Sequence, residues 1–259
     1  MDRFLGIRAK QALRLLLGAV ALTLATNCGS GAKATDADGA PATTTAIPKT
    51  QVGVNISRLA FWERTYMFLD IARQSGPLAT PKNGWVNAAE VFTLNKEGWP
   101  PAAPVGTEFI LPLIRNVPDA PPGPWDCSVS PGFSLHALGQ STLKSQGKRH
   151  LLYPAPNANE ISIMARQESK GAELRTLSCF LPGGTDAPDA SRAPDAPNAF
   201  NPAFLADVKP FAVLRFMDPM ATNNAPPPLW AERTTPASFT QSGDRGIALE
   251  NMIALANET

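Results

Sequence analysis

Over most of its length the chain places apolar residues in short runs broken by proline and glycine, and only two stretches repeat at helical spacing. In the first, Trp62, Tyr66 and Leu69, with Phe61, Phe68 and Ala72 beside them, predict a helix over Trp62–Gln74. After it the pattern predicts strands at Val91–Leu94, Glu108–Ile114, Phe133–Leu138, Glu160–Arg166 and Glu173–Leu181. Ile161, Ile163 and Ala165 alternate with period two, as a strand with one buried face requires. Proline clusters at Pro100–Pro104 and Pro118–Pro124 separate these runs. Many short strands between turn signals favour a β-sandwich over a parallel sheet. Phe211–Met217 is instead nearly all apolar, the pattern of a strand buried on both faces. The second helical stretch, Gly246–Asn257, carries Ile247, Leu249, Met252, Ile253, Leu255 and Ala256 on or near one side. Strand, polar loop and helix make one β/α unit.

The N-terminal end of the chain and one internal segment fall outside this pattern. Arg3, Arg8, Lys10 and Arg14 precede the apolar run Leu15–Ala25. That run is too short to cross a bilayer core of about 30 Å as a helix, but it suits a secretory signal. The following Leu24-Ala-Thr-Asn-Cys28 resembles the cleavage site of bacterial lipoproteins, in which the cysteine becomes the lipidated first residue. Asn27 departs from the small residue usual before that cysteine, so plain secretion is the alternative. Small and polar residues from Gly29 onward read as a flexible tether, and the repeated Asp-Ala-Pro between Pro182 and Pro202 reads as an exposed linker. The expected order is therefore a signal over 1–27, a tether over 28–52, a β-sandwich over 53–181, a linker over 182–202 and a β/α segment over 203–259.

Composition narrows the function classes. With 23 Lys+Arg against 22 Asp+Glu in 259 residues, the chain is not a generally basic nucleic-acid binder. Hydrophobic residues at 44% exclude a wholly disordered chain, and 26 prolines explain the scarcity of helix. With Cys28 lipidated, Cys127 and Cys179 remain as an even pair. They are either a disulfide formed in an oxidising compartment or two separately buried thiols.

Two blocks of residues resemble a family of large secreted bacterial proteins described as cellulose-binding or glycoside-hydrolase-like. The first is Gly53-Val-Asn55, Trp62, Phe68-Leu-Asp70, Gly84-Trp85 and Leu94-Asn-Lys-Glu-Gly-Trp-Pro100. The second is Phe200-Asn-Pro-Ala-Phe-Leu205, Lys209-Pro-Phe211, Leu214-Arg-Phe-Met-Asp218, Thr222-Asn-Asn224, Trp230-Ala-Glu-Arg233 and Glu250–Asn257. The resemblance implies a β-sandwich followed by a (β/α)8 barrel of glycoside-hydrolase type. Two departures matter: Pro219 stands where the family usually has Trp, and residues 203–259 fall far short of the about 250 that a barrel needs. The expected fold is thus mainly β, a β-sandwich with one N-terminal helix, followed by an incomplete β/α unit of a TIM-barrel-like domain.

Glycoside hydrolysis needs two carboxylates separated by roughly 5–9.5 Å across a sugar. Asp218, at the end of the expected barrel strand, and Glu232, in the loop after it, are the weak catalytic candidates. Arg215 and Arg233 would donate hydrogen bonds to sugar hydroxyls, and an exposed indole stacks on the apolar face of a pyranose. Trp230, within the resembling Trp-Ala-Glu-Arg motif, is the leading aromatic candidate, followed by Trp85 and Trp99, whereas Trp62 on the helical stripe reads as core. His136 and His150 stand without metal-ligand spacing, and no phosphate loop or Gly-x-Ser-x-Gly elbow is present, so neither metal nor cofactor is expected.

The sequence therefore leads to an exported, lipid-anchored cell-envelope protein that binds a polysaccharide such as cellulose or a similar β-glycan and has no catalytic activity as it stands. The alternatives are a truncated glycoside hydrolase and a structural surface lipoprotein.

Overall fold

The computed structural model describes residues 50–147, 149–182, 200–223 and 229–259. The expected signal, Cys28 with its lipid, and most of the 182–202 linker lie outside the described residues. The described chain is mainly β. A first strand, β1 (Thr50–Asn55), precedes β2 (Ala79–Pro81), β3 (Trp85–Asn87), β4 (Glu108–Arg115), β5 (Trp125–Val129) and β6 (Phe133–Gly139). Then come β7 (Ser141–Gln146), β8 (Arg149–Pro154), β9 (Glu160–Gln167) and β10 (Leu177–Phe180). Helix α1 (Pro202–Val208), strand β11 (Phe211–Arg215) and helix α2 (Leu249–Glu258) complete it.

β2 to β10 build two antiparallel sheets, in the orders β3-β2-β4-β9-β6 and β10-β5-β8-β7. The alternating apolar residues explain their faces. Ile161, Ile163 and Ala165 on β9 point the same way as Phe109, Leu111 and Leu113 on β4, and all six are fully buried. They share one hydrophobic cluster with Trp125, Cys127, Leu152 and Cys179 of the other sheet. The chain passes from one sheet to the other between β6 and β7. Gly139 makes this passage at φ +76°, where an added Cβ would lie 2.5 Å from the Glu160 carbonyl oxygen. Cys127 and Cys179 are opposite residues on β5 and β10 and are joined by a disulfide.

Several expectations are corrected. Trp62–Gln74 is not a helix: it holds only a 3-10 turn at Ile71–Gln74, capped by the Asp70 carboxylate. Tertiary pairing wins over the local pattern here. Phe68 bridges Phe200, Asp70 bridges Phe180, and Tyr66 adopts φ +36°, which breaks any helical run. Val91–Leu94 follows a 3-10 turn and forms no strand. The strand expected over Glu173–Leu181 is confined to Leu177–Phe180. β11 is not buried on both faces, because Val213 is 61% exposed. On α2, Met252 and Leu255 are buried while Leu249 and Ile253 face solvent.

β11 pairs in parallel with β1, whose first residue Thr50 falls inside the expected tether. Parallel neighbours require a crossover, and here both antiparallel sheets and α1 lie between them in sequence. Residues before and after the two antiparallel sheets share a second cluster: Ile56, Leu59, Met67 and Phe68 pack with Phe200, Phe204, Val208, Met252 and Leu255. The described residues accordingly belong to one compact unit. Phe239 reaches the principal core as well, and the Gln241 backbone N–H donates to the Arg73 carbonyl at 2.6 Å.

Candidate functional site

At the carboxyl ends of β1 and β11 lies an open cleft of about 360 Å³, lined by Ser57, Arg58, Glu63, Met217, Asp218, Ala221, Thr222 and Asn223. Parallel β/α structures commonly receive ligands at this end of their strands, because the loops that follow the strands converge there.

One wall comes from the loop after β11. Its turns are closed by Met220 N–H to the Phe216 carbonyl at 3.1 Å, Ala221 N–H to the Asp218 carbonyl at 3.0 Å and Thr222 Oγ1 to the Met217 carbonyl at 3.0 Å. The loop is fixed from behind by Ile247 N–H, which donates to the Pro219 carbonyl at 2.9 Å. Gly246 lets the chain approach so closely, since a Cβ there would stand 2.6 Å from the Met220 carbonyl carbon. The other wall follows β1. Ile56 N–H continues the ladder to the Arg215 carbonyl at 2.8 Å, and buried Ile56, Leu59 and Ala60 anchor a loop that presents Ser57, Arg58 and Glu63.

The two walls meet through one hydrogen bond: Asn55 Nδ2 donates to Asp218 Oδ2 at 2.7 Å. Arg58 lies 3.7 Å from Asp244 and 6.0 Å from the centre of the Trp62 ring, an exposed pair of little energetic weight. Trp62 itself is 49% exposed, so the indole read from the sequence as core stands in solvent beside two lining residues.

The other expected site residues are scattered. Glu232 is not in the cleft; it pairs with Arg245 at 3.7 Å. Trp230 is 70% exposed, with the Arg233 guanidinium 4.2 Å from its ring centre and Arg233 in turn paired with Glu250 on α2. Arg215 donates to the Met217 sulfur at 3.0 Å. Trp85, 53% exposed, lies on β3 at the edge of the five-stranded sheet. Trp99 is half-buried and packs edge-on against Phe239 at 4.7 Å, so its ring is committed to the core. None of Trp230, Arg233, Arg215, Trp85 and Trp99 lines the cleft. Asn55, Arg58, Trp62 and Glu63 are the residues that the sequence reading missed. Asn55 and Trp62 stood in the resembling block, but nothing local shows that β1 pairs with a strand so distant in sequence.

Other chemistries find little support among the described residues. No group of three or more His, Cys, Asp or Glu side chains is placed to hold a metal. Ser134, His136 and Glu168 do cluster: the Ser134 hydroxyl lies 3.0 Å from His136 Nε2 and donates to Glu168 Oε1 at 2.7 Å. That donation, ahead of other influences, holds the Glu168 carboxyl below its ordinary value. A nucleophilic triad needs the imidazole between hydroxyl and carboxylate, whereas here the hydroxyl is in the middle. No helix of the described residues is long and apolar enough to cross a membrane.

No protein-family model, no curated protein and no solved structure matches the chain.

Proposed function

We propose that the chain is an exported carbohydrate-binding protein of the bacterial cell envelope, anchored by lipid on Cys28, that holds a β-glycan without hydrolysing it. The observation that carries this reading is the cleft where Asn55 holds Asp218, with exposed Trp62 beside it. Carboxylate, amide and hydroxyl oxygens accept from sugar hydroxyls, Arg58 supplies donors, and an indole face matches the C–H face of a pyranose. Trp230 on its Arg233 support and Trp85 on β3 are exposed aromatic surfaces suited to further contacts with a long polymer. The two antiparallel sheets around one core support the β-sandwich part of the reading. Glu232, the carboxylate expected to act with Asp218, pairs with Arg245 outside the cleft, which favours binding over hydrolysis by that pair.

The test is retention of the purified protein on insoluble cellulose, chitin and xylan. Retention that drops about tenfold in Trp62→Ala and Asp218→Ala, an effect of about 1.4 kcal/mol, supports the reading. Retention on none of the three rejects it.

A glycoside hydrolase is the second reading. It is favoured by the parallel pairing of β1 with β11 and by the placing of β11 between helices α1 and α2 in sequence. Turnover of soluble β-glycan by this chain, abolished in Asp218→Asn, would establish it.

A further inference from the structure

We infer that the cleft sorts glycans by charge, taking a neutral or amine-bearing polymer and excluding an anionic one; this rests on the polysaccharide-binding reading. Its charged lining is Glu63 and Asp218 against Arg58 alone. Among the described residues, Glu63 and Asp218 are in no ion pair. The group that holds Asp218 is the Asn55 amide, which fills one lone pair of Oδ2 and supplies no positive charge. Arg58, the one cation of the lining, already faces Asp244. The nearby Arg215 is turned to the Met217 sulfur and is not part of the lining.

Sugar hydroxyls can donate to either carboxylate. A uronate or carboxymethyl group brought into the same space meets two negative charges and one shared positive charge. Like charges set side by side oppose binding and exclude wrong partners, and in an open cleft this effect is screened by salt. An ammonium group on the sugar reverses the sign.

The test uses two matched pairs of soluble polymers, hydroxyethyl-cellulose with carboxymethyl-cellulose and xylan with carboxymethyl-xylan. Binding of the whole protein is measured at about 0.02 M and about 1 M salt. The expected result is an affinity about threefold or more in favour of the neutral member at low salt, narrowing toward unity at high salt. Asp218→Asn keeps the acceptor for Asn55 while removing one charge, and it narrows the low-salt ratio. Ser57→Lys, at an exposed lining position without a hydrogen bond to lose, narrows or inverts it. Equal binding of both members by the native protein, or a ratio unmoved by both variants, overturns the charge rule and leaves the polysaccharide reading intact. Binding of none of the four polymers overturns both.

Discussion

Asn55, the last residue of β1, donates its side-chain amide to Asp218, 163 positions later, at 2.7 Å. This bond closes the mouth of a parallel strand pair whose members are separated in sequence by two antiparallel sheets. It also aims the Asp218 carboxylate into the cleft, because Oδ2 is held and Oδ1 is left for a ligand. Asn55→Ala removes the bond at an exposed position, so its cost to stability is only about 0.5–1.5 kcal/mol. The loss of glycan affinity should exceed that small effect, with Asn55→Asp, which sets two carboxylates together, worse still. Unfolding midpoints and retention on insoluble glycan, measured on the same preparations, separate the two. Unchanged retention in both variants would remove Asn55 from the site.

Gly246 determines whether the loop that carries Asp218 can sit where it does. Its backbone is at φ +72°, and an added Cβ would press on Met220 and on the Pro219 carbonyl oxygen at 2.6–2.7 Å. Gly246→Ala should therefore cost about 1–3 kcal/mol and displace the Asp218 wall. Gly243, three residues earlier, has open space around its Cβ direction. Gly243→Ala is the control and should be neutral within about 0.5 kcal/mol. Equal unfolding midpoints for the two variants would contradict the packing described.

The parts of this fold that the sequence made legible are those with a local signature. The alternation of Ile161, Ile163 and Ala165 located β9, and Glu108–Ile114 located β4, because each strand buries one face on its own. What escaped was whatever depends on distant pairing. Met67, Phe68, Leu69 and Ile71 are all buried, and such a run mimics a helix when only spacing is read. In the folded chain these residues are held by backbone bonds to Asn201 and Leu181 instead. Asp218 was found because it ends an apolar run. Its partners Asn55, Arg58 and Glu63 were not, since the only cue to their meeting is the parallel pairing of β1 with the distant β11. Glu232 shows the converse: closeness in sequence to Asp218 suggested a shared site, and folding turned it to Arg245 outside the cleft.

The disulfide ties β10 to β5, and β10 in turn holds the cleft-bearing half of the chain. Cys179 N–H donates to the Asp70 carboxylate at 2.8 Å, and Leu181 N–H donates to the Leu69 carbonyl at 2.9 Å. Cys127→Ala with Cys179→Ala should cost about 2–5 kcal/mol. Both cysteines are fully buried, so a thiol reductant should act on the native protein only through unfolding. Thermal unfolding with and without reductant checks this, and rapid labelling of both thiols in folded, reductant-treated protein would contradict the burial.

His150, on β8 opposite Cys127 of β5 and Ser145 of β7, supplies a pH dependence with a definite sign. Burial pushes its pKa below the ordinary 6.5, and the Asp126 carboxylate opposes that shift in part. Asp126 is itself engaged by Arg149 at 2.8 Å, and Ser145 Oγ lies 2.9 Å from His150 Nδ1. The folded state therefore prefers the neutral imidazole, while the unfolded chain takes up a proton at about pH 6.5. The contribution of His150 is fully present above that pH and is lost as pH falls from about 6.5 through the lower folded value. His150→Gln keeps a polar group beside Ser145 and cannot titrate, so its stability should fall less than that of the native protein between about pH 7.5 and about pH 5.5. Urea midpoints of both proteins at the two pH values measure the difference. Carboxylates that titrate over the same range are common to both proteins and cancel. An identical fall in the two would show that His150 gains its proton equally well folded and unfolded.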